Sequence, residues 1–346
     1  MFTITEKDIR AVLHDYGIQA GCLSFTELER YDYEREDPDS GQVRVIVRVD
    51  LRDGRSFVMR FKNEEDAPRH VIEAQSRFAV LLYENGIETP KVYASDGLYA
   101  RCCTINGYDV IATVESFEEG EIREVSPETA RGTGELLARM HNIAEEAGFH
   151  VYSDVLFDPL TDNDLFSFDA FVRHKDKLMA IDSGLYHDIV EKHAWLVSHI
   201  APFGNEPRYA VQGDISDCNL YRTKDGRLGV FDFNRCGDNQ LYFDAVMQAI
   251  FEARLMDYPE ELAGHQEDEI LSAFLDGYQK IRPFTEEQKA AFPYFYALVN
   301  AFWGADMKWS DNSLTTTVEK ADDASAHQWM KEIFRRESEL RYLNFK

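Results

Sequence analysis

The segment from Gln212 to Asp232 constrains the fold most, because its pattern predicts a β-hairpin with polar side chains at fixed places. Asp225 and Gly226 stand between two apolar runs, and this pair suits a two-residue type I′ turn, whose central residues both need positive φ. Continued outward, that register pairs Asn219 with Asp232 on one face, where opposed Cβ atoms lie about 4.5–5.5 Å apart. An amide oxygen and a carboxylate at that separation can share a hard cation such as Mg²⁺.

Asp214 lies five residues before Asn219, in the loop that enters the predicted hairpin. A carboxylate there can accept a proton from a hydroxyl that attacks a phosphate beside the metal, which is the arrangement of catalytic loops in kinases. Aspartate is common in a chain with 63 acidic residues among 346. An ordered set of Gly-Asp, Asn, turn and apolar-flanked Asp is nevertheless hard to obtain by chance, so the pattern indicates a phosphoryl-transfer site.

The order Gln-Gly-Asp-x4-Asn followed by Asp-Phe resembles the aminoglycoside phosphotransferase and homoserine-kinase-like family, whose fold is related to that of protein kinases. Phe57–Phe61, Leu136–His141 and Asp244 extend the resemblance along the chain. Gln212 replaces the family's usual His, and its amide can still brace the catalytic loop by hydrogen bonds. Asp244 matches the family's later acid, which orders that loop, whereas His141 is interpreted as a structural core residue.

The resemblance implies an α+β, bilobal, protein-kinase-like fold. Residues 1–117 would form a small N-lobe with an antiparallel sheet and one main helix, and residues 118–346 a larger, mostly helical C-lobe. The sequence itself supports the sheet, because apolar residues alternate from Val43 to Leu51. A turn at Asp53-Gly54 then leads into a second strand that ends near Lys62.

Two further segments of the N-lobe are predicted from local patterns. Thr5 followed by Asp8 predicts a capped helix that ends near His14. The polar stretch Glu34–Ser40, which includes Pro38, predicts the tip between the first two strands. No glycine-rich phosphate loop is visible in that stretch, so the sequence does not show how a triphosphate is covered.

Matching the family's third strand places Arg60 where the phosphate-contacting Lys stands, and Arg can grip phosphate through two hydrogen bonds. Lys62 on the same face is predicted to be a solvated or auxiliary neighbour. Glu73, in the following helix, is predicted to pair with Arg60 and hold it in place. The family's interlobe hinge, which would bind adenine through its backbone, corresponds to Ser116, Phe117 and Glu118. ATP and Mg²⁺ are the implied cofactors, and GTP stays open as an alternative nucleotide.

An aromatic and acidic stretch near the C-terminus is the candidate acceptor site. It follows an apolar stripe typical of a core helix and contains Trp303, Asp306 and Trp309. Such residues can hold an amine by cation–π and ion-pair contacts. With 37 basic and 63 acidic residues the formal charge is −26, and an acidic surface attracts cations. An amine-bearing acceptor, similar to an aminoglycoside, choline or homoserine, is therefore predicted.

Composition disfavours several other classes of protein. The charge of −26 argues against a nucleic-acid partner, since that binding depends on Lys and Arg. No apolar run approaches the ~20 residues that span a bilayer, and the N-terminus lacks a secretion signal, so we expect a cytoplasmic protein without a membrane partner. Five cysteines without Cys-x-x-Cys spacing argue against a zinc site or a disulfide framework. The oligomeric state stays open.

The sequence thus predicts a phosphotransferase that uses ATP and Mg²⁺ to phosphorylate a hydroxyl of a small molecule. Asp214 would be the base or hydroxyl orienter, with Asn219 and Asp232 as metal ligands. A protein Ser/Thr kinase of the same fold is an alternative that a shallow acceptor groove would favour. A nucleotide-binding regulatory module without turnover is another, suggested by Gln212 and the missing glycine-rich loop, but the intact Asp214 argues against it.

Overall fold

The computed structural model describes residues 1–21, 23–31, 33, 41–122, 126–215, 217–254 and 263–343. The chain forms two compact units, and each is described by itself. The first unit comprises Met1–Arg123, Glu146–Ser153 and Asp217–Gly237, and the second comprises Glu124–Glu145, Asp154–Ser216 and Asp238–Lys346. The tip predicted over residues 34–40 lies outside the described residues.

The first unit is built on a five-stranded antiparallel sheet with the strand order β1-β2-β3-β5-β4. The strands are β1 Leu23–Tyr31, β2 Val43–Leu51, β3 Ser56–Asn63, β4 Arg101–Ile105 and β5 Tyr108–Ser116. The alternation predicted for β2 is confirmed, because its odd-numbered apolar side chains all lie in one buried cluster. The predicted turn at Asp53-Gly54 joins β2 to β3, and Val47 lies opposite Met59.

The two faces of this sheet differ in chemistry. Helix α1 (Glu6–Asp15) begins at the predicted capping box, in which the Thr5 amide donates to Asp8 Oδ2 at 2.9 Å. Its buried side chains Ile9, Val12 and Leu13 join the apolar cluster on one face. The other face carries Arg60 and Lys62, which line a pocket together with side chains of α2 (Arg69–Glu84). The unit also contains a short hairpin of β7 (Leu220–Arg222) and β8 (Leu228–Val230).

The second unit is mostly helical. Its helices are α3 Pro127–Ala147, α4 Phe168–Arg173, α5 Lys175–Ile200, α6 Leu241–Arg254, α7 Ala263–Ile281, α8 Glu286–Ala301, α9 Leu314–Glu319 and α10 Asp323–Ser338. A two-stranded sheet pairs β6 (Arg208–Val211) with β9 (Gly237–Gln240), and β6 leads into the segment that contains Asp214. None of the helices in the described part of the chain is both long and apolar enough to cross a membrane.

Helices α3 and α7 approach each other through two glycines. A Cβ added at Gly134 would lie 2.0 Å from the carbonyl oxygen of Phe274, and one added at Gly277 would lie 2.0 Å from that of Arg131. Neither distance leaves room for a side chain, because the nearest neighbours are backbone atoms. The backbones of the two helices therefore pack directly against each other, and this contact lies beside His141 of α3 and Tyr278 of α7.

Candidate active site

The hairpin that carries Asn219 and Asp232 is shifted by one residue from its predicted register. Strands β7 and β8 pair Leu220 with Val230. Beyond that pair, the Phe231 amide donates to the Asn219 carbonyl oxygen at 3.0 Å. Asn219 therefore lies opposite Phe231 and not opposite Asp232, so the predicted pairing is wrong.

The chemistry of Thr223 explains the shift. The Thr223 amide donates to the Arg227 carbonyl oxygen at 2.9 Å, and its hydroxyl accepts from the Arg227 amide at 2.9 Å and donates to Asp225 Oδ1 at 2.6 Å. These bonds close a three-residue loop in which Gly226 alone has positive φ, at 88°. A type I′ turn needs two such residues. The side-chain bonds of Thr223 thus select the longer loop.

Asp232 leaves the strand geometry altogether. Its φ of 57° is left-handed, a conformation that is uncommon for residues other than glycine and is often found at functional positions. The side-chain direction of Asp232 therefore does not follow strand alternation. Its carboxylate accepts from the Asn234 amide at 3.1 Å, and its charge contributes to raising the pKa of the Arg60 guanidinium and opposes the burial that lowers the pKa of Lys62.

Two basic side chains of β3 thus share the environment of Asp232. Arg60 forms an ion pair of 2.5 Å with Glu115 of β5, and its side chain is 13% exposed. The Lys62 ammonium donates to Asn234 Oδ1. Burial lowers the pKa of Lys62 to about 8, although Asp232 and Glu64 oppose the shift. Lys62 is therefore buried, so the prediction of a solvated neighbour is wrong, whereas its alternative, an auxiliary neighbour of Arg60, stays a prediction.

Glu73 does not pair with Arg60, so that prediction is also wrong. Its carboxylate accepts from the Tyr99 and Ala100 amides at 2.7 and 2.8 Å and pairs with Arg77 at 2.7 Å. The position that faces the basic side chains belongs to Gln75, two residues and about 200° further around α2. Ile72, Gln75, Ser76 and Ala79 share this face at helical spacing and line the pocket with Arg60. That i, i+3, i+4, i+7 pattern was the sequence signal for Gln75.

The predicted hinge residues are held by bonds within the first unit. The Ser116 amide donates to the Lys91 carbonyl at 2.9 Å, and the Phe117 amide donates to the Ser56 carbonyl at 3.0 Å. The Ser116 hydroxyl donates to Glu118 Oε1 at 2.7 Å. An adenine contact in this segment would therefore use groups other than these two amides. Its assignment to these residues stays a prediction.

The loop that contains Asp214 lies in the second unit and is braced by two glutamines. Gln212 is fully buried, and its Oε1 accepts from the Asp214 amide at 2.8 Å. Gln248 of α6, also fully buried, accepts from the Ile215 amide through Oε1 at 2.9 Å. Gly213 between them has a φ of 86°, which suits glycine. The two amides next to the Asp214 carboxylate are thus fixed by side chains.

A buried chain of hydrogen bonds supports the same helix. His141 Nε2 lies 3.0 Å from Asp244 Oδ2, and His141 Nδ1 lies 2.8 Å from the Tyr278 hydroxyl. All three side chains are buried.

Sequence reasoning missed Gln248 and Tyr278. Gln248 could have been found from its spacing, since it follows Asp244 by four residues and therefore shares its face of α6.

The candidate acceptor residues do not form one anionic aromatic pocket. The Arg254 guanidinium lies 5.2 Å from the ring centre of Trp303, which is itself buried. Asp306 is paired with Arg336 at 2.6 Å, so its charge is balanced. Trp309 is exposed, and its indole donates to the Asp164 carbonyl at 3.1 Å. Basic side chains already contact two of the three predicted contact residues, and the acceptor role of this segment stays a prediction.

The chain has the architecture of phosphotransferases with a protein-kinase-like fold. One unit is a five-stranded antiparallel sheet with buried basic residues beside one helix, and the other is a helical unit with a braced aspartate loop. The profile of the phosphotransferase enzyme family, APH, matches residues 37–284. The chain belongs to this family and is a phosphotransferase. The predictions of the family, of its kinase-like α+β fold and of the class of enzyme are confirmed.

Solved structures agree with this fold. The amicoumacin kinase hAmiN, in complex with AMP-PNP, Ca²⁺ and Ami, is similar with a TM-score of 0.62 and 15% identity over 99% of both chains. A microcompartment-associated aminopropanol kinase has a TM-score of 0.62 and 14% identity over 97% of this chain and 99% of its own. An aminoglycoside phosphotransferase from Alicyclobacillus acidocaldarius subsp. acidocaldarius DSM 446 has a TM-score of 0.52 and 11% identity over 90% and 93%. No curated sequence matched the chain.

Proposed function

We propose that this protein is an ATP- and Mg²⁺-dependent kinase that transfers the γ-phosphoryl group to a hydroxyl of an amine-bearing small molecule. The observation that carries the proposal is the Gln212–Ile215 loop, in which the amides of Asp214 and Ile215 are fixed at 2.8 and 2.9 Å by buried glutamines. Such bracing supports a base that must be held in one place, because positioning contributes much of the catalysis of phosphoryl transfer. In a family of phosphotransferases it favours a working Asp214.

The residues of the first unit fit a divalent metal and a phosphate chain. Asn219 offers an amide oxygen and Asp232 a carboxylate, and these are the ligands that Mg²⁺ takes in proteins while it keeps water and phosphate oxygens elsewhere. Arg60 and Lys62 lie beside Asp232 and carry the positive charge that phosphates need. Their placement supports the metal and nucleotide assignment, and the AMP-PNP and Ca²⁺ in the complex of the amicoumacin kinase agree with it.

Each residue then has a defined task. Bound Mg²⁺·ATP supplies the phosphoryl group and the charge that stabilises its oxygens. The Asp214 carboxylate orients the acceptor hydroxyl and accepts its proton. Gln212 and Gln248 keep the backbone on both sides of that carboxylate in place. Arg60 and Lys62 bind phosphate oxygens, and Gln75 and Asn234 fix the segment that follows Asp232.

An amine on the acceptor is supported by two observations. Two of the similar structures are named as an aminopropanol kinase and an aminoglycoside phosphotransferase. The formal charge of −26 produces a field that attracts cations and is screened over about 8–10 Å at physiological salt. The acceptor site itself is left unassigned, because Trp303 and Asp306 are already in contact with arginines.

The test is an ADP-release screen of the purified protein with Mg²⁺·ATP. The acceptors are amino alcohols, aminoglycosides, amino acids, neutral sugars and a generic protein substrate. We expect turnover with at least one amine-bearing small molecule and none with the protein substrate. Turnover only with the protein, or only with neutral acceptors, would contradict the proposed acceptor class.

A further inference from the structure

A cavity in the second unit is not used by the proposed reaction. Its volume is about 380 Å³, within the range of about 300–1,000 Å³ that is typical of small-molecule sites. Tyr209, near the start of β6, lines it, whereas Asp214 follows the end of that strand. None of the residues from Gln212 to Ile215 lines the cavity, so the cavity is distinct from the catalytic loop. Its wall combines rings and charged groups: Glu206, Tyr209, Tyr242, Tyr278, Arg282 and Phe284.

The charges on this wall do not balance. Arg282 donates to Asn142 at 2.9 Å and to Glu145 at 2.6 Å, so its charge is compensated. The Glu206 carboxylate has no basic partner within ion-pair distance among the described residues and is contacted by the Gln288 amide at 3.3 and 3.5 Å. Burial raises the pKa of Glu206, and the Gln288 bond and the Arg282 charge lower it only in part. One carboxylate thus remains under-compensated in a partly buried site.

Two tyrosines on this wall have their hydroxyls bonded to other groups of the protein. The Tyr242 hydroxyl donates to the Gln288 carbonyl at 2.8 Å, and the Tyr278 hydroxyl is bonded to His141 at 2.8 Å. An under-compensated carboxylate in a cavity that aromatic residues line favours a cation with an apolar body, through ion-pair and cation–π contacts. An anion is disfavoured, because the cationic group on the wall, Arg282, is already paired with Glu145.

We propose that this cavity binds a small organic ammonium ion with an apolar body, as a regulatory ligand and not as the phosphoryl acceptor. The wall is connected to the catalytic loop within the same unit. Tyr278 bonds to His141, which bonds to Asp244 of α6, and Gln248 of the same helix holds the Ile215 amide. A ligand that contacts Tyr278 therefore changes the support of the loop beside Asp214. Binding of the ligand and its effect on the loop do not depend on the proposed kinase function. Only the expected effect on the rate of phosphoryl transfer rests on that function.

Binding is tested with phenethylamine, which carries an ammonium group and a ring but has no hydroxyl to be phosphorylated. Titration calorimetry compares wild type with Glu206→Gln and with Glu287→Gln, an exposed glutamate of α8 that does not line the cavity. We expect wild type and Glu287→Gln to bind alike and Glu206→Gln to bind about tenfold or more weakly. Phenylacetamide, a neutral aromatic of similar size, should not bind.

The variant Asp214→Asn separates this site from the catalytic loop and should bind phenethylamine like wild type. Loss of binding in Asp214→Asn with retention in Glu206→Gln would place the probe at the catalytic loop and overturn the proposal. Equal affinity of wild type and Glu206→Gln would also overturn it. The proposal is also overturned if wild type shows no saturable binding of phenethylamine below about 10 mM, because a dissociation constant above that value is too weak for specific recognition.

The proposed regulatory role of the ligand is tested by a measurement that does not depend on turnover. Hydrogen–deuterium exchange of the peptide that contains Asp214 and Ile215 is measured with and without phenethylamine. We expect the ligand to change exchange in wild type, and we expect Tyr278→Phe to bind the ligand without this change. Binding that leaves exchange of this peptide unaltered in wild type would contradict the regulatory role. Failure of the ADP-release screen would leave both of these readouts interpretable.

Discussion

The side-chain amide of Gln75 donates a 3.1 Å hydrogen bond to the backbone carbonyl oxygen of Asn234, two residues after Asp232. A second bond of 3.1 Å runs from the same amide to the Cys236 carbonyl. The Asn234 side chain in turn accepts from Lys62 of β3. Helix α2 and strand β3 thus hold the segment that follows the proposed metal ligand, and Gln75 takes the place at which we expected a glutamate paired with an arginine.

Replacing Gln75 by Ala should therefore disturb the metal site and not only the fold. The change removes this donor from the buried Cys236 carbonyl and the partly buried Asn234 carbonyl, and each buried group left unsatisfied costs about 1–3 kcal/mol. We expect a lower melting temperature and a higher Mg²⁺ requirement for turnover. Ser76→Ala, in the same pocket, is the matched control and should change neither by much. An unchanged Mg²⁺ requirement in Gln75→Ala would show that α2 does not position Asp232.

Asn219 and Asp232 should contribute non-additively if they share one metal ion. Either Ala substitution should raise the Mg²⁺ requirement, and Asp232→Ala should raise it more, because it removes the charge that acts on Arg60 and Lys62. In a double-mutant cycle the coupling energy should be roughly 0.5–3 kcal/mol. Lys224→Ala, at the exposed hairpin loop, serves as the control. Strictly additive losses would mean that the two side chains do not share a metal, whatever the register of the hairpin.

Glu337 on α10 should make stability depend on pH. It is fully buried, and its carboxylate oxygens have no hydrogen-bond partner among the described residues. Burial raises the pKa of Glu337 from its ordinary 4.5 to about 9. The folded state therefore keeps a proton that the unfolded state releases, so its stabilising effect is full below about pH 4.5 and is lost as pH rises toward about 9.

Denaturant unfolding at several pH values tests this dependence. Glu337→Gln, which stays neutral, should lose less stability than wild type as the pH rises through this range. The exposed Glu339→Gln should follow the wild-type curve. Parallel curves for wild type and Glu337→Gln would show that the carboxylate is charged in the folded protein and has a partner or water that balances it.

The contact between α3 and α7 should tolerate no side chain at either glycine. Gly134→Ala and Gly277→Ala each place a Cβ 2.0 Å from a backbone oxygen, and overpacking of this kind typically costs about 1–3 kcal/mol. Gly184→Ala in α5 is the control, because the nearest atom to its added Cβ belongs to a side chain and lies 3.6 Å away, and Ala favours a helix over Gly. Thermal unfolding should show a loss for the first two variants and no loss for the third. Wild-type stability in Gly134→Ala would mean that the helices can separate at no cost.

The sequence predicts those elements whose patterns are local. The alternation of β2, the capping box at Thr5 and the existence of the hairpin all depend on neighbouring residues, and all are present. The hairpin register could not be read from Asp225-Gly226 alone, because the Thr223 hydroxyl bonds to the Arg227 amide and selects a longer loop. Such side-chain bonds compete with standard turns, and propensity does not reveal which wins.

The contact partners of individual side chains were harder to predict from the sequence than the helices and strands. Glu73 was assigned to Arg60 by its place in a motif, yet the phase of α2 turns Gln75 toward the basic side chains and Glu73 toward the Tyr99 and Ala100 amides. The Arg336 partner of Asp306, on a separate helix, is likewise not visible in the local pattern that favours an amine contact there. The wrong partner for Glu73 arises because a charged residue pairs with whatever the fold brings near it, and long-range neighbours leave no trace in a local pattern.

The measurement that tests the kinase proposal most directly is the comparison of Asp214→Asn with wild type in two assays. Turnover is measured by ADP release with the best acceptor of the screen, and Mg²⁺·ATP binding is measured by titration calorimetry. Because Asp214 orients and deprotonates the hydroxyl without holding the nucleotide, we predict a loss of turnover of about 10²-fold or more with nearly unchanged nucleotide affinity. Retained turnover, or a loss of Mg²⁺·ATP binding in place of turnover, would contradict the assignment of Asp214 as the catalytic base.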